Sequence, residues 1–177
     1  MSNFPSLIAL IMAAAGAGAA LSPAPVANYG TGTVRTASGN IATATGSAGR
    51  LVIERADDGF FYMPATINGS SVCFLIDTGA SMVILPRPVA DEAGITGTSR
   101  ATATTVGGPQ SVDLASIRSL KAAGITLRDV PVAIQHSGMS IPLLGMDTLA
   151  DIGRIEIDGN LLTVHPASAP SGQPSRN

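Results

Sequence analysis

Patterned sequence begins near Arg50. The runs LVIERA and FFYMPATI are followed by an Asn68-Gly69 pair and then by SVCFLID, which ends at Asp77. Asn-Gly between two β-rich runs predicts a two-residue hairpin, because both central positions of a type I′ turn need positive φ. Two antiparallel strands therefore lead into Asp77. A third apolar run, MVILP, follows, and PRPVADEAG predicts one or two helical turns closed by Gly94. From Thr98 to Ile117 small polar and apolar residues alternate around Gly107-Gly108, the pattern of a long exposed hairpin. GITLRDVPVAI then predicts a strand, IPLLGMDTLADIG a buried strand running into a short helix, and RIEIDGNLLTVHP a last hairpin turning at Asp158-Gly159.

Outside this unit the chain changes character. Leu7 to Leu21 is apolar or small throughout and ends in an A-x-A arrangement at Ala17 and Ala19, so residues 1–21 are expected to be a signal peptide or a membrane anchor. Either one places the rest of the protein outside the cytoplasm: in the periplasm, or tethered to the inner membrane facing it, if the source is bacterial. Residues 22–49 are rich in Ala, Gly, Ser and Thr, with few large apolar side chains, and are expected to be a low-complexity linker or a removable pro-segment. Residues 167–177 are expected to be a disordered tail, leaving 50–166 as the folded domain.

Composition narrows the function. The 177 residues carry a formal net charge of -2 and no Lys/Arg run able to follow a phosphate backbone, so nucleic acid is not expected as a partner. Trp is absent and aromatics make up 3%, while Ala, Gly, Thr, Val and Ile are plentiful, which favours an all-β or mostly β domain. Cys73 is the only cysteine, which rules out an intrachain disulfide and a cysteine-based metal cluster.

The chemistry concentrates at Phe74-Leu75-Ile76-Asp77-Thr78-Gly79-Ala80-Ser81, where an acid ends an apolar strand in a tight turn. Burial makes an ionised carboxylate costly, so such an acid is either held by hydrogen bonds or poised for proton transfer. Gly79 lets backbone approach the carboxylate, and the Thr78 hydroxyl offers a hydrogen bond without charge. On its own, an Asp-Thr-Gly triplet also suits a plain Asx turn between strands.

FLIDTGAS resembles the active-site turn of the pepsin-type and retropepsin-type aspartic peptidases. Ile141-Pro142-Leu143-Leu144-Gly145 resembles the hydrophobic-hydrophobic-glycine element beneath that turn, and Val106-Gly107-Gly108 resembles the flap that closes over substrate. The resemblance covers about Arg50 to Pro166. With one Asp-Thr-Gly turn rather than two, the domain is similar to the single-lobe form: an all-β, retropepsin-like acid-protease barrel with one short helix, active as a symmetric homodimer. The resemblance implies that Asp77 and its symmetry mate hold a water between them, share a proton, and hydrolyse a peptide or protein substrate with no metal or cofactor. It further implies that Thr78 hydroxyls brace the two turns and that Gly79, Ala80 and Ser81 complete each one. Ser81 stands where an acidic residue is common in the viral enzymes, and Pro109 removes one backbone donor just past the flap. The alternative is a catalytically silent module of the same fold that dimerises or binds peptide. A further possibility is an enzyme held inactive by residues 22–49.

Other candidates carry weaker signals. Asp147 in GMDTL lacks the following Gly and begins a helix, so a solvated or capping role is expected. His136 and His165 have no G-x-S-x-G turn or zinc-ligand spacing to join and are expected at the surface or an edge. Cys73 is expected to be a small buried hydrophobe.

Overall fold

The computed structural model describes residues 32–35, 41–47, 49–105, 108–136 and 138–167. β3 (Arg50–Glu54) opens the patterned region, and β4 (Tyr62–Ile67) and β5 (Ser70–Ile76) form the first hairpin. Asn68 and Gly69, its central residues, have φ of 51° and 98°, as a type I′ turn requires. β6 (Val83–Pro86) is buried along its whole length. Pro88 lies in the first turn of α1 (Arg87–Glu92), where its missing N–H has no helical partner to lose.

β7 (Ser99–Thr105) and β8 (Gly108–Ala122) form the expected long hairpin. β8 then runs on well past it, turns at Ala123-Gly124 and pairs with β9 (Ile125–Gln135). β10 (Leu143–Leu144), α2 (Met146–Ile152), β11 (Gly153–Asp158) and β12 (Leu161–Pro166) complete the domain.

Three details differ from the sequence expectations. The last hairpin pairs Asp158 with Leu161, so its central residues are Gly159 and Asn160, and Gly159 takes the positive φ of 56°. Two short helices are present rather than the one that the resemblance implies: residues 87–92, where the sequence itself predicts one or two helical turns, also close a turn and a half against β6. β1 (Gly32–Arg35) and β2 (Ile41–Ser47) lie within the stretch read as linker, with β2 paired to β3. Ladder hydrogen bonds come from backbone, so a segment poor in large side chains can still add strands to an existing edge.

The strands form two sheets. The larger has the order β4-β5-β10-β6-β9-β8-β7, and β4 also pairs with β8 through Ala65↔Ala122, which closes six of the strands into a barrel. The smaller has the order β1-β2-β3-β12-β11. Leu51, Ile53, Leu162 and Val164 from the smaller sheet join Met63, Phe74, Leu85, Ile117, Leu120, Ile134 and Leu144 from the barrel in one core. The fold is therefore the all-β, single-lobe retropepsin-like barrel. Among the described residues no helix is long and apolar enough to cross a membrane, and residues 7–21 lie outside the described residues.

Candidate active site

β10 lies between β5 and β6, parallel to the first (Leu144↔Ile76) and antiparallel to the second (Leu143↔Ile84). The chain leaving β5 must therefore cross the end of β10 before it enters β6, and Asp77 to Met82 form that crossing. Apolar burial fixes the strands on both sides: Phe74, Leu144 and Leu85 are fully enclosed. The turn is pinned from below by Asp77 N–H donating to the Leu144 carbonyl at 3.1 Å, Met146 N–H to Ala80 at 2.9 Å and Asp147 N–H to Ser81 at 3.0 Å. Ala80 N–H closes the turn on the Asp77 carbonyl at 3.2 Å.

The Asp77 carboxylate is half-buried and accepts the Gly79 N–H at Oδ1, 2.8 Å away. This local bond orients the carboxylate and leaves Oδ2 for a reacting group. Thr78 is exposed at the crest of the turn, and Ala80 is buried. The Ser81 hydroxyl oxygen is buried without a hydrogen-bond partner among the described residues.

Gly145 is where the two layers touch. A Cβ there would stand 2.5 Å from the Met82 carbonyl oxygen, 2.6 Å from Met82 N and 2.8 Å from the Ala80 carbonyl oxygen. Only a residue without a side chain lets β10 pass this close beneath the turn. Leu143, Leu144 and Gly145 thus meet Asp77, Ala80 and Ser81 in one structure.

Of the residues expected to form a flap, Gly108 begins β8 and pairs with Thr105, whose hydroxyl donates to the Gly108 carbonyl at 2.7 Å. Val106 and Gly107 lie outside the described residues. The root of the hairpin packs toward the turn: Met82 touches a cluster of Ala101, Ala103, Val112, Leu114 and Ala133. Nothing in the sequence marks Met82 for this contact, since it reads there as one more apolar strand residue.

Of the remaining candidates, Asp147 meets the turn through its backbone N–H alone. Asp147 is exposed in the first turn of α2 and makes no side-chain cap. His165 on β12 lies 3.3 Å from Glu156 on β11, and His136 lies 2.9 Å from Asp113. Cys73 packs beside Ala56, Tyr62 and Ile141, and burial pushes its thiol up to about 12 from an ordinary 9.0, the opposite of a reactive thiolate. Among the described residues no group of three or more His, Cys, Asp or Glu could hold a metal ion.

A single Asp-Thr-Gly turn carried on a closed barrel, with a two-residue strand threaded beneath it, defines one lobe of an aspartic peptidase. The profile of the "gag-polyprotein putative aspartyl protease" family matches residues 63–151, about half of the chain and the part that contains the whole turn. The chain belongs to this family of retropepsin-like aspartic peptidases. An uncharacterized protein of Rickettsia prowazekii is 30% identical over 126 residues, which is 66% of this chain and 52% of that protein, so the chain spans about half the length of this relative. A retropepsin-like aspartic protease from Rickettsia conorii superposes with a TM-score of 0.57 at 26% identity, covering 65% of this chain and 87% of that one. The retroviral protease-like domain of Ddi1 from Leishmania major gives a TM-score of 0.46 at 24% identity, over 59% of this chain and 87% of that one.

Proposed function

We propose that this chain is an aspartic endopeptidase that hydrolyses peptide bonds in peptide or protein substrates, using a water held between Asp77 carboxylates of two protomers. The observation that carries the reading is the mounting of Asp77: its carboxylate is oriented by the Gly79 N–H, and its backbone is fixed on β10 through Leu144 and the bare Gly145. One chain presents one such carboxylate, and the exposed Thr78 beside it supports a two-fold pairing in which the second comes from an identical copy. In the dyad the ionised carboxylate takes a proton from water as the water oxygen adds to the scissile carbonyl carbon. The protonated carboxyl hydrogen-bonds the developing oxyanion, and proton delivery to the leaving nitrogen completes C–N cleavage. The apolar run at residues 7–21 supports export, with the catalytic domain on the far side of the inner membrane or tethered to it if the source is bacterial.

The test is cleavage of a mixed peptide library by the full chain beside its Asp77→Asn variant, with protein concentration varied. Cleavage that is lost in the variant and rises faster than linearly with concentration is the expected result. Equal cleavage by both proteins, or none by a folded dimer, overturns the reading.

A further inference from the structure

Asp113 on β8 gathers charged and polar partners from three other parts of the fold. Its side chain is only 16% exposed. Its Oδ2 lies 2.9 Å from His136 Nε2, just past β9, and 3.7 Å from Arg87 Nη1 at the start of α1. Its Oδ1 lies 3.4 Å from Arg100 Nε on β7. Arg87 also pairs with Asp91 at 2.9 Å along α1. A carboxylate covered to this degree is costly to keep ionised unless it is paired, and here Arg87, Arg100 and the Nε2–H of His136 supply the pairing.

The location gives the cluster its meaning. Among the described residues β8 pairs with β9 from Val112↔Gln135 onward, and Gly108 to Ser111 pair with β7 alone. A two-stranded ribbon of this kind is marginal by itself, so its direction is set at its root. Asp113 stands one residue inside the point of departure, directly opposite Arg100. Its other partners belong to the supports of the Asp77 turn: Arg87 directly follows β6, and His136 opens the segment that leads to β10. A further cluster, the apolar one that includes Met82, holds the same root beside the turn. The backbone at Gly97 leaves room for the arrangement, since a Cβ there would stand 2.5 Å from the Asp113 Cβ.

We infer that Asp113 is a positioning residue that fixes the root of the β7–β8 hairpin to both supports of the Asp77 turn and so sets how the hairpin lies over bound peptide. The inference rests on the peptidase reading only for what the hairpin covers, because the ionic tie can be measured without catalysis.

The experiment is amide hydrogen exchange on the full chain in an Asp77→Asn background, which removes self-cleavage. Asp113→Asn keeps the shape and removes the charge; Gly97→Ala keeps every charge and displaces Asp113. In both variants, amides of residues 101–105 and 110–112 are expected to exchange about tenfold faster, as loss of a charge-assisted hydrogen bond predicts for local opening, with β3 and β12 unchanged. Unchanged hairpin exchange, or equal acceleration in both sheets, overturns the inference. In the chain with Asp77 intact, Asp113→Asn is expected to raise KM more than it lowers kcat. A wild-type chain that cleaves nothing refutes the peptidase reading and leaves the exchange result to judge the tie.

Discussion

Replacing Gly145 by alanine adds one methyl group at the point where β10 passes beneath the Asp77 turn. Gly145 has an ordinary φ of -84°, so alanine meets no backbone penalty and only the collision acts. The added carbon starts 2.5 Å from the Met82 carbonyl oxygen, and ordinary contact begins at 3.4 Å, so the turn must retreat by about 0.9 Å. The segment that retreats is the one held by Met146 N–H on Ala80 and Asp147 N–H on Ser81, and both bonds lengthen with it. Overpacking of this kind costs about 1–3 kcal/mol, and each weakened hydrogen bond adds up to about 1 kcal/mol. A loss of about 3 kcal/mol in urea unfolding is therefore expected, together with a fall of roughly 10²-fold in peptide cleavage from misplacing Asp77 by about 1 Å. Gly159→Ala is the control, since its Cβ would meet open space and only its φ of 56° resists substitution. That variant should lose about 1 kcal/mol and keep its activity. Wild-type stability and cleavage in Gly145→Ala would refute the account of how the turn is seated.

Three further substitutions probe the scaffold. Asn68 holds positive φ while its side chain donates to the Ala93 carbonyl at 3.1 Å and accepts the Ser119 N–H at 3.2 Å, so Asn68→Ala should cost about 2–3 kcal/mol. Asn68→Gly keeps the turn geometry and should cost less in the same denaturation assay; equal losses would assign the whole effect to the hydrogen bonds. Ala123 sits at φ 49° in the β8–β9 turn, where a Cβ is strained, and Ala123→Gly should raise the urea midpoint by an amount equivalent to about 0.5–1 kcal/mol. The raised Cys73 thiol makes stability depend on alkaline pH. The unfolded chain releases this proton near 9.0, whereas the folded chain holds it to about 12, so stability is complete below pH 9 and falls across that interval by at most about 1.4 kcal/mol per pH unit. Urea titrations from pH 8 to 11 should show that slope reduced in Cys73→Ala; identical slopes would show that the thiol is not desolvated.

The parts of the fold legible in the sequence were those decided by neighbouring residues. Asn68-Gly69 announced its hairpin because two adjacent positive φ values have few residue solutions, and the fully apolar β6 announced its burial. The last hairpin was displaced by one residue because Asp158-Gly159 and Gly159-Asn160 both satisfy the rule for a primed turn, and the ladder to β3 decides between them. β2 leaves no mark in the sequence, because backbone pairing with the edge of β3 does not call for large apolar residues. Relations between distant segments were legible only where chemistry left a mark. Gly145 leaves one, because a close backbone approach demands the absence of a side chain. Met82 and Asp113 leave none: one is an apolar residue among apolar residues, and the other is an acid whose partners lie 13, 23 and 26 positions away in the sequence. Their arrangement follows from the parallel pairing of β6 with β9, which brings the ends of the two strands side by side at Pro86↔Gln135, next to the root of the hairpin at Val112↔Gln135. A chain that forms this barrel therefore ties the root of the β7–β8 hairpin and the Asp77 turn to one shared strand, β6, and a disturbance of β6 should be felt at both.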